Sequence, residues 1–273
     1  MKIFIISIAA ITFTVCTSSA QEGLLFKMHY NPQTIYNQSM QQGIMMEINY
    51  SGSKEAMDAL KAEGTKNPTV TKMETSMESV ITTGKANDSA VFPISMKFTK
   101  SANNDVPVVA AGTTFFGHCS ANKQPVYDSV YSPDGKNAQA KKMASLITKT
   151  LSQVPFPDKR MKPGEEFRQE VPISIPVGAT KFDITAVTVY KLKSIKDNIG
   201  FFDVIITYEA KTNTANVEVP MKGSGKGKLE FDAANGFFQY YEINMDTETK
   251  MNVRGLDMKM KSITSFVMHE NIE

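Results

Sequence analysis

NAQAKKMASLITKTLSQV, Asn137 to Val154, is the longest helix-like stretch in a chain that otherwise reads as strands. Its apolar residues Met143, Leu146, Ile147, Leu151 and Val154 recur at three- and four-residue steps, which gathers them on one face of a 3.6-residue helix. On both sides lie β-rich segments that share features. The expected fold is mainly β with some helix (α+β): a curved, largely antiparallel sheet, an open half-barrel. It is built from two repeated units around this central amphipathic helix. Repeat 1 covers about 24–132, the helix 137–154, and repeat 2 about 155–268.

The first twenty residues have the order of parts of a signal peptide. Lys2 is a short basic start, Ile3 to Val15 an apolar run, and Ser18-Ser19-Ala20 a small-residue end, so cleavage is expected before Gln21. The apolar run is too short to span a bilayer, which takes about 20 residues. Residues 21–273 then form a single duplicated domain, exported to the periplasm or outside the cell. Cys16 admits a lesser alternative, lipid anchoring, but Val15 before it suits that signal poorly. If Cys16 leaves with the signal, Cys119 is the one remaining thiol, and a buried small apolar group is its expected role.

Thirty Lys and Arg stand against 28 Asp and Glu, a formal net charge of +2, with no long basic run. This gives no electrostatic reason to expect nucleic acid. Methionine is abundant at 17, and tryptophan is absent. Met is flexible and polarisable, suited to irregular cores or to pliable apolar surfaces.

Along the chain, Leu24 to Tyr30 and Ile35 to Tyr50 read as strands. Ser53 to Glu63 reads as a short helix, with Ser53 as N-cap and Gly64 as its stop. Phe92, Ile94, Met96 and Phe98 alternate with polar residues, and so do Phe202, Val204, Ile206 and Tyr208. A hairpin is expected around Lys196-Asp197-Asn198, and Asn235-Gly236 is the strongest short hairpin signal. The last strand carries Leu256, Met258 and Met260 between Asp257, Lys259 and Lys261.

Three blocks suggest duplication. Pro32, Tyr36 and Gln38 can be laid on Pro163, Phe167 and Gln169, and Phe92–Phe98 on Phe202–Tyr208. Gly112, Ala121 and Asn122 can be laid on Gly225, Ala234 and Asn235. The Ser53–Glu63 insertion accounts for the change of offset between the first two blocks.

A helix with two β-rich halves behind an export signal resembles the LolA/LolB type of open half-barrel carrier. The chain also resembles uncharacterised exported envelope proteins of Gram-negative bacteria. That second likeness lies in Lys162-Pro163-Gly164-Glu165, the alternating glycines Gly223 to Gly227, and Asn235-Gly236. The first resemblance implies a curved sheet around an apolar cavity and no chemistry.

Catalytic signals are weak. Gly223-Ser224-Gly225-Lys226-Gly227-Lys228 is followed by strand-like Leu229-Glu230-Phe231-Asp232, where a phosphate loop needs a helix. A bend of the sheet is the simpler reading. His29, His118 and His269 lack paired-ligand spacing, and His118 and Cys119 should face opposite ways on a strand. Ser120-Ala121-Asn122-Lys123 reads as a turn. Soft thioether copper sites at Met45-Met46 or Met258-x-Met260 lack a close histidine.

No cofactor, metal or catalytic residue is therefore expected, and no transmembrane segment after signal removal. The expected function is non-catalytic binding of a hydrophobic ligand or an acylated envelope component. Met96, Met143, Leu146, Ile147, Leu151, Met258 and Met260 would line the site, with the helix as a lid. The alternatives are a structural or protein-interaction module of the envelope with a packed interior, and an outer-membrane barrel, against which the helix, the short expected strands and Glu273 argue.

Overall fold

The computed structural model describes residues 23–273, apart from positions 105, 108, 121–122, 154–156, 178–179, 215–216 and 254–255. The expected signal peptide, Cys16 and the Ala121-Asn122 block lie outside the described residues.

The chain begins with β1 (Leu24–Lys27), β2 (Ile35–Gly52), α1 (Lys54–Ala62) and β3 (Thr69–Thr83). Next come β4 (Val91–Asn103), β5 (Val106–Pro107), β6 (Thr114–Ser120), β7 (Val126–Tyr131) and α2 (Asn137–Leu151). After β8 (Asp158–Met161) come six long strands: β9 (Glu166–Val177), β10 (Thr180–Lys196), β11 (Ile199–Thr214), β12 (Val217–Asp232), β13 (Phe237–Val253) and β14 (Leu256–Ile272).

Twelve strands form one antiparallel sheet, in the order β7-β6-β4-β3-β2-β14-β13-β12-β11-β10-β9, with β5 added on β4. Chain order and sheet order together make two successive meanders, joined where β14 pairs with β2 along nearly its whole length. The sheet is not closed, and β7 and β9 are its ends. β1 and β8 pair only with each other, Leu24 opposite Met161 and Lys27 opposite Asp158.

Local chemistry explains the connections. Asp197 and Asn198 both take positive φ, 51° and 63°, so they make the primed two-residue turn that suits the twist of β10 and β11. The Asn235-Gly236 connection is longer. Asp232 Oδ1 accepts from the backbone N–H groups of Ala234 and Asn235, which winds residues 233–236 into a four-residue turn. Ser53 Oγ accepts from the Ala56 N–H at 3.3 Å and starts α1, and Gly64 follows its end at φ +77°.

The strand registers sort the sheet into two faces. On β14 and β2, Met258, Met260, Phe266, Met268 and Glu270 share a face with Tyr50, Ile48, Gln42, Met40 and Gln38. Carried across the sheet, that face holds Phe202, Val204, Leu229, Ile243, Phe92, Ile94 and Phe115. Among the described residues, every exposed large apolar residue of the twelve strands, such as Met45, Val70, Ile205 and Ile263, lies on the opposite face, together with the charges other than Glu270. The first face is therefore the sheltered one.

At one end of the strands this sheltered face is sealed by two clusters. In the first, Tyr36, Ile81, Phe92, Phe98, Phe115 and Tyr127 pack under Ala140 and Ala144 of α2. In the second, Phe26 of β1 is 0% exposed and contacts the rings of Phe167, Tyr190, Phe202, Phe231 and Phe238. Leu24 and Met161 close the same cluster.

The helix is not central. α2 packs on β7, one margin of the open sheet, and also approaches β9, the other margin. Size explains the correction: a helix about 10 Å wide covers about two strands of a sheet whose strands lie roughly 4.8 Å apart. Its buried residues are the small Ala140 and Ala144, with Met143 and Ile147 half-buried beside them. The helix ends at Leu151, three residues before the expected Val154.

Candidate functional site

The residues expected to line one pocket fall into two places. Met96, Met143 and Ile147 pack on the first cluster, at the α2 end of the sheet. Met258 and Met260 lie towards the opposite end of β14, opposite Tyr50 and Ile48, with Met251 and Thr249 on their other side. The side chains of Leu146 and Leu151 lie outside the described ones. The hollow against α2 holds about 350 Å³ and runs between the helix and β7. Asp128, Lys141 and Lys149 line it along with Tyr127 and Ala144, so it is not the continuous apolar cavity that a lid would cover.

The sheltered face does carry one unexpected group. Glu270 on β14 is buried, and Gln38 Nε2 of β2 donates to its Oε2 at 3.0 Å. Burial pushes this carboxyl up to about 7, partly countered by the Gln38 hydrogen bond. Nearby stand Tyr30, Tyr36 and Tyr127, all raised above the usual phenol range by burial, with the Glu270 charge adding to the shift. The Tyr36 hydroxyl accepts from the Asn31 N–H at 2.7 Å. The Tyr127 hydroxyl has no hydrogen-bond partner among the described residues.

Sequence reading passed over Glu270. Its signal was present in His269-Glu270-Asn271, an acid at the sheltered parity of the last strand. A neutral acid among tyrosines can hold or release a proton. It lacks a nucleophile–base pair, and it belongs to the packing of the first cluster.

The remaining expected chemistry resolves structurally. His118 lies on the outer face, its Nδ1 3.4 Å from Asp128, while Cys119 is buried on the sheltered face. Burial pushes the Cys119 thiol up to about 11, and its Sγ donates towards the carbonyls of Ser120 and Lys123. His29 stands over Gly236, whose carbonyl accepts from the His29 backbone N–H at 2.8 Å.

The alternating glycines sit in β12, not before a helix. Tyr208 of β11 lies over Gly223 and bonds Thr247 of β13 beyond it. A Cβ at Gly227 would fall 1.8 Å from the Glu242 carbonyl oxygen. These glycines let three strands approach closely, as bare backbone does at a bend. Among the described residues, no group of three or more His, Cys, Asp or Glu is placed to hold a metal ion.

The outer face is built differently. Glu47, Lys222, Asp246, Glu248 and Lys261 surround a hollow of about 630 Å³ whose apolar floor includes Met45 and Ile263. These two are direct cross-strand partners, 41% and 50% exposed, and Val70 lies diagonally next to Met45 on β3. Glu248 holds both Lys259 and Lys261 at 3.5 Å.

No family model matches this chain, and no curated protein does. Porins are among the similar solved structures. Three engineered variants of Rhodopseudomonas blastica porin superpose with TM-scores of 0.28, 0.30 and 0.27, at 8%, 9% and 8% identity. Each match covers 87% of this chain and 100% of the porin. At these TM-scores the two chains are not superposed as one fold, and no function follows.

None of the carriers of the LolA/LolB type is among these neighbours. That resemblance, drawn from pattern alone, does not stand, and with it falls the hydrophobic-ligand carrier. The pattern that suggested it, a helix between two β-rich halves, fits equally well one open sheet with the helix at its margin.

Proposed function

We propose that this chain is an exported, non-catalytic interaction or structural module of the cell envelope, which docks through the outer face of its sheet. The observation that carries this reading is the division of the two faces. The sheltered face has one charged side chain among the described residues, Glu270, while the outer face alternates charges of both signs. A barrel spanning a membrane needs an outward apolar band, and each Lys or Arg at its midplane costs about 2–4 kcal/mol. Lys72, Lys97, Lys226 and Lys259 on the outer face speak against lipid contact. No helix among the described residues is long and apolar enough to cross a membrane.

The Met45–Ile263–Val70 patch, rimmed by Glu47, Lys222, Glu248 and Lys261, has the layout of a protein interface, an apolar centre within a polar margin. The test is extraction followed by crosslinking. Envelope fractions washed with alkaline carbonate should release the protein without detergent. A photo-crosslinker placed at Ile263 should capture a partner that an Ile263→Lys chain no longer retains. Release only by detergent, together with ion conductance in planar bilayers, would overturn the reading in favour of a channel.

The two meanders are inferred to descend from one unit. In support, Tyr36 and Phe167 each stand near the start of the first strand of a meander, and Phe92–Phe98 and Phe202–Tyr208 fall in the third strand of each. The pairing of β1 with β8, the short strands that precede the meanders, fits the same origin.

A further inference from the structure

A second hollow on the sheet, of about 420 Å³, lies across five consecutive strands, β4-β3-β2-β14-β13. Its two flanks are β-bulges. Between Glu78/Lys100 and Ser79/Phe98 the ladder leaves Thr99 of β4 unpaired, and between Glu230/Tyr240 and Phe231/Phe238 it leaves Gln239 of β13 unpaired. Both extra residues line the hollow. A bulge bends its strand and re-aims a side chain, and bulges are over-represented beside binding sites. Two of them at opposite margins of one depression make a trough where a regular sheet would be even.

The lining has a definite chemistry. Val80 is its one apolar member, and neither Lys nor Arg takes part. Gln239 and Asn271 contribute amides able to donate and accept, and Asn37 adds a third whose Nδ2 donates to Glu273 Oε1 at 2.9 Å. Ser39 and Thr99 contribute hydroxyls with the same dual capacity. On the other side of the trough, the ring of His269 packs against Tyr240, with centroids 5.0 Å apart.

An anion would need cationic donors, which are absent from this lining. A cation would find its best acid, Glu78, already within 3.9 Å of Lys100. Groups that donate and accept in equal measure, next to an aromatic pair, match the hydroxyls and apolar ring faces of a neutral saccharide.

We propose that this trough is a binding site for a neutral oligosaccharide, with Thr99, Gln239 and Asn271 as its principal hydrogen-bonding residues. The site is independent of the Met45–Ile263 patch, so either can fail alone.

The test is isothermal titration of the purified exported chain with three probes: the N-acetylglucosamine tetrasaccharide, maltotetraose and cellotetraose. Saturable binding of at least one is expected. Gln239→Ala and Asn271→Ala should each weaken it by about tenfold, the loss of roughly 1.4 kcal/mol that a hydrogen bond in such a site contributes. Both positions are partly or fully exposed, so circular dichroism and thermal midpoints should match the parent chain. Ile263→Lys should leave sugar binding unchanged. The proposal is overturned by no saturation with any probe up to about 10 mM. Binding that survives both alanine variants intact overturns it equally.

Discussion

Gln38 and Glu270 face each other across the seam where the second strand meets the last, and the amide donates to the carboxyl at 3.0 Å. Raising the carboxyl to about 7 ties stability to pH. The folded chain holds this proton more tightly than the unfolded chain, whose carboxyl titrates near its ordinary value of 4.5. The contribution is therefore fully present below about pH 4.5 and is lost as pH rises through about 7. The shift corresponds to roughly 3 kcal/mol. Glu270→Gln keeps a partner for Gln38 and removes the titration. Its thermal midpoint should exceed that of the parent at pH 8 and converge with it at pH 4. Parallel curves across that range would show that Glu270 is not the group responsible.

Phe26 anchors the short β1–β8 ribbon in a cage of five rings. Phe26→Ala removes a fully buried ring and should cost about 3–5 kcal/mol in urea unfolding. Backbone N–H groups beneath the second cluster should gain more in hydrogen-exchange rate than those beneath the first, because α2 seals the latter separately.

At Gly227 the backbone of β13 stands where a β12 side chain would begin. Gly227→Val would drive a side chain into the Glu242 carbonyl, which belongs to the strand backbone and cannot swing aside. A loss of about 3 kcal/mol or more, or failure to fold, is expected. Gly64→Ala makes a useful contrast, since nothing lies within 4 Å of its missing Cβ and the strain there is local to the backbone. That variant should lose only about 1 kcal/mol.

Cys119 is buried with its thiol raised to about 11, so it should label slowly with a disulfide reagent at pH 8. The labelling rate should follow global unfolding as urea is added. Fast labelling of the native chain would contradict the burial described above.

Much of the sheet was legible because its signals are local. The alternation of Phe92, Ile94, Met96 and Phe98, or of Met258 and Met260 with lysines, reports a strand and its two faces without reference to anything distant. The Ser53 cap reports α1 in the same way. What stayed hidden depends on register. Alternation shows that Met96 and Met258 each face inward, yet nothing local shows that they lie at opposite ends of the sheet. The apolar stripe of α2 shows that it packs, but not that it packs at an edge. Glu270 reads as a surface acid until its pairing with Gln38 is known. The trough escaped for a related reason: Thr99 and Gln239 are bulges only relative to the strands beside them.

The β14–β2 pairing also bears on how the chain is made. The middle of the sheet joins a segment that begins at Ile35 to the final residues, ending with the Glu273 N–H donating to the Ile35 carbonyl. Synthesis delivers the amino-terminal meander first, and it must wait, with one long margin bare, until β14 is made. Contacts so distant along the chain close slowly. During that interval the open margin of β2 is the point most exposed to mispairing, and a chaperone would best protect it there.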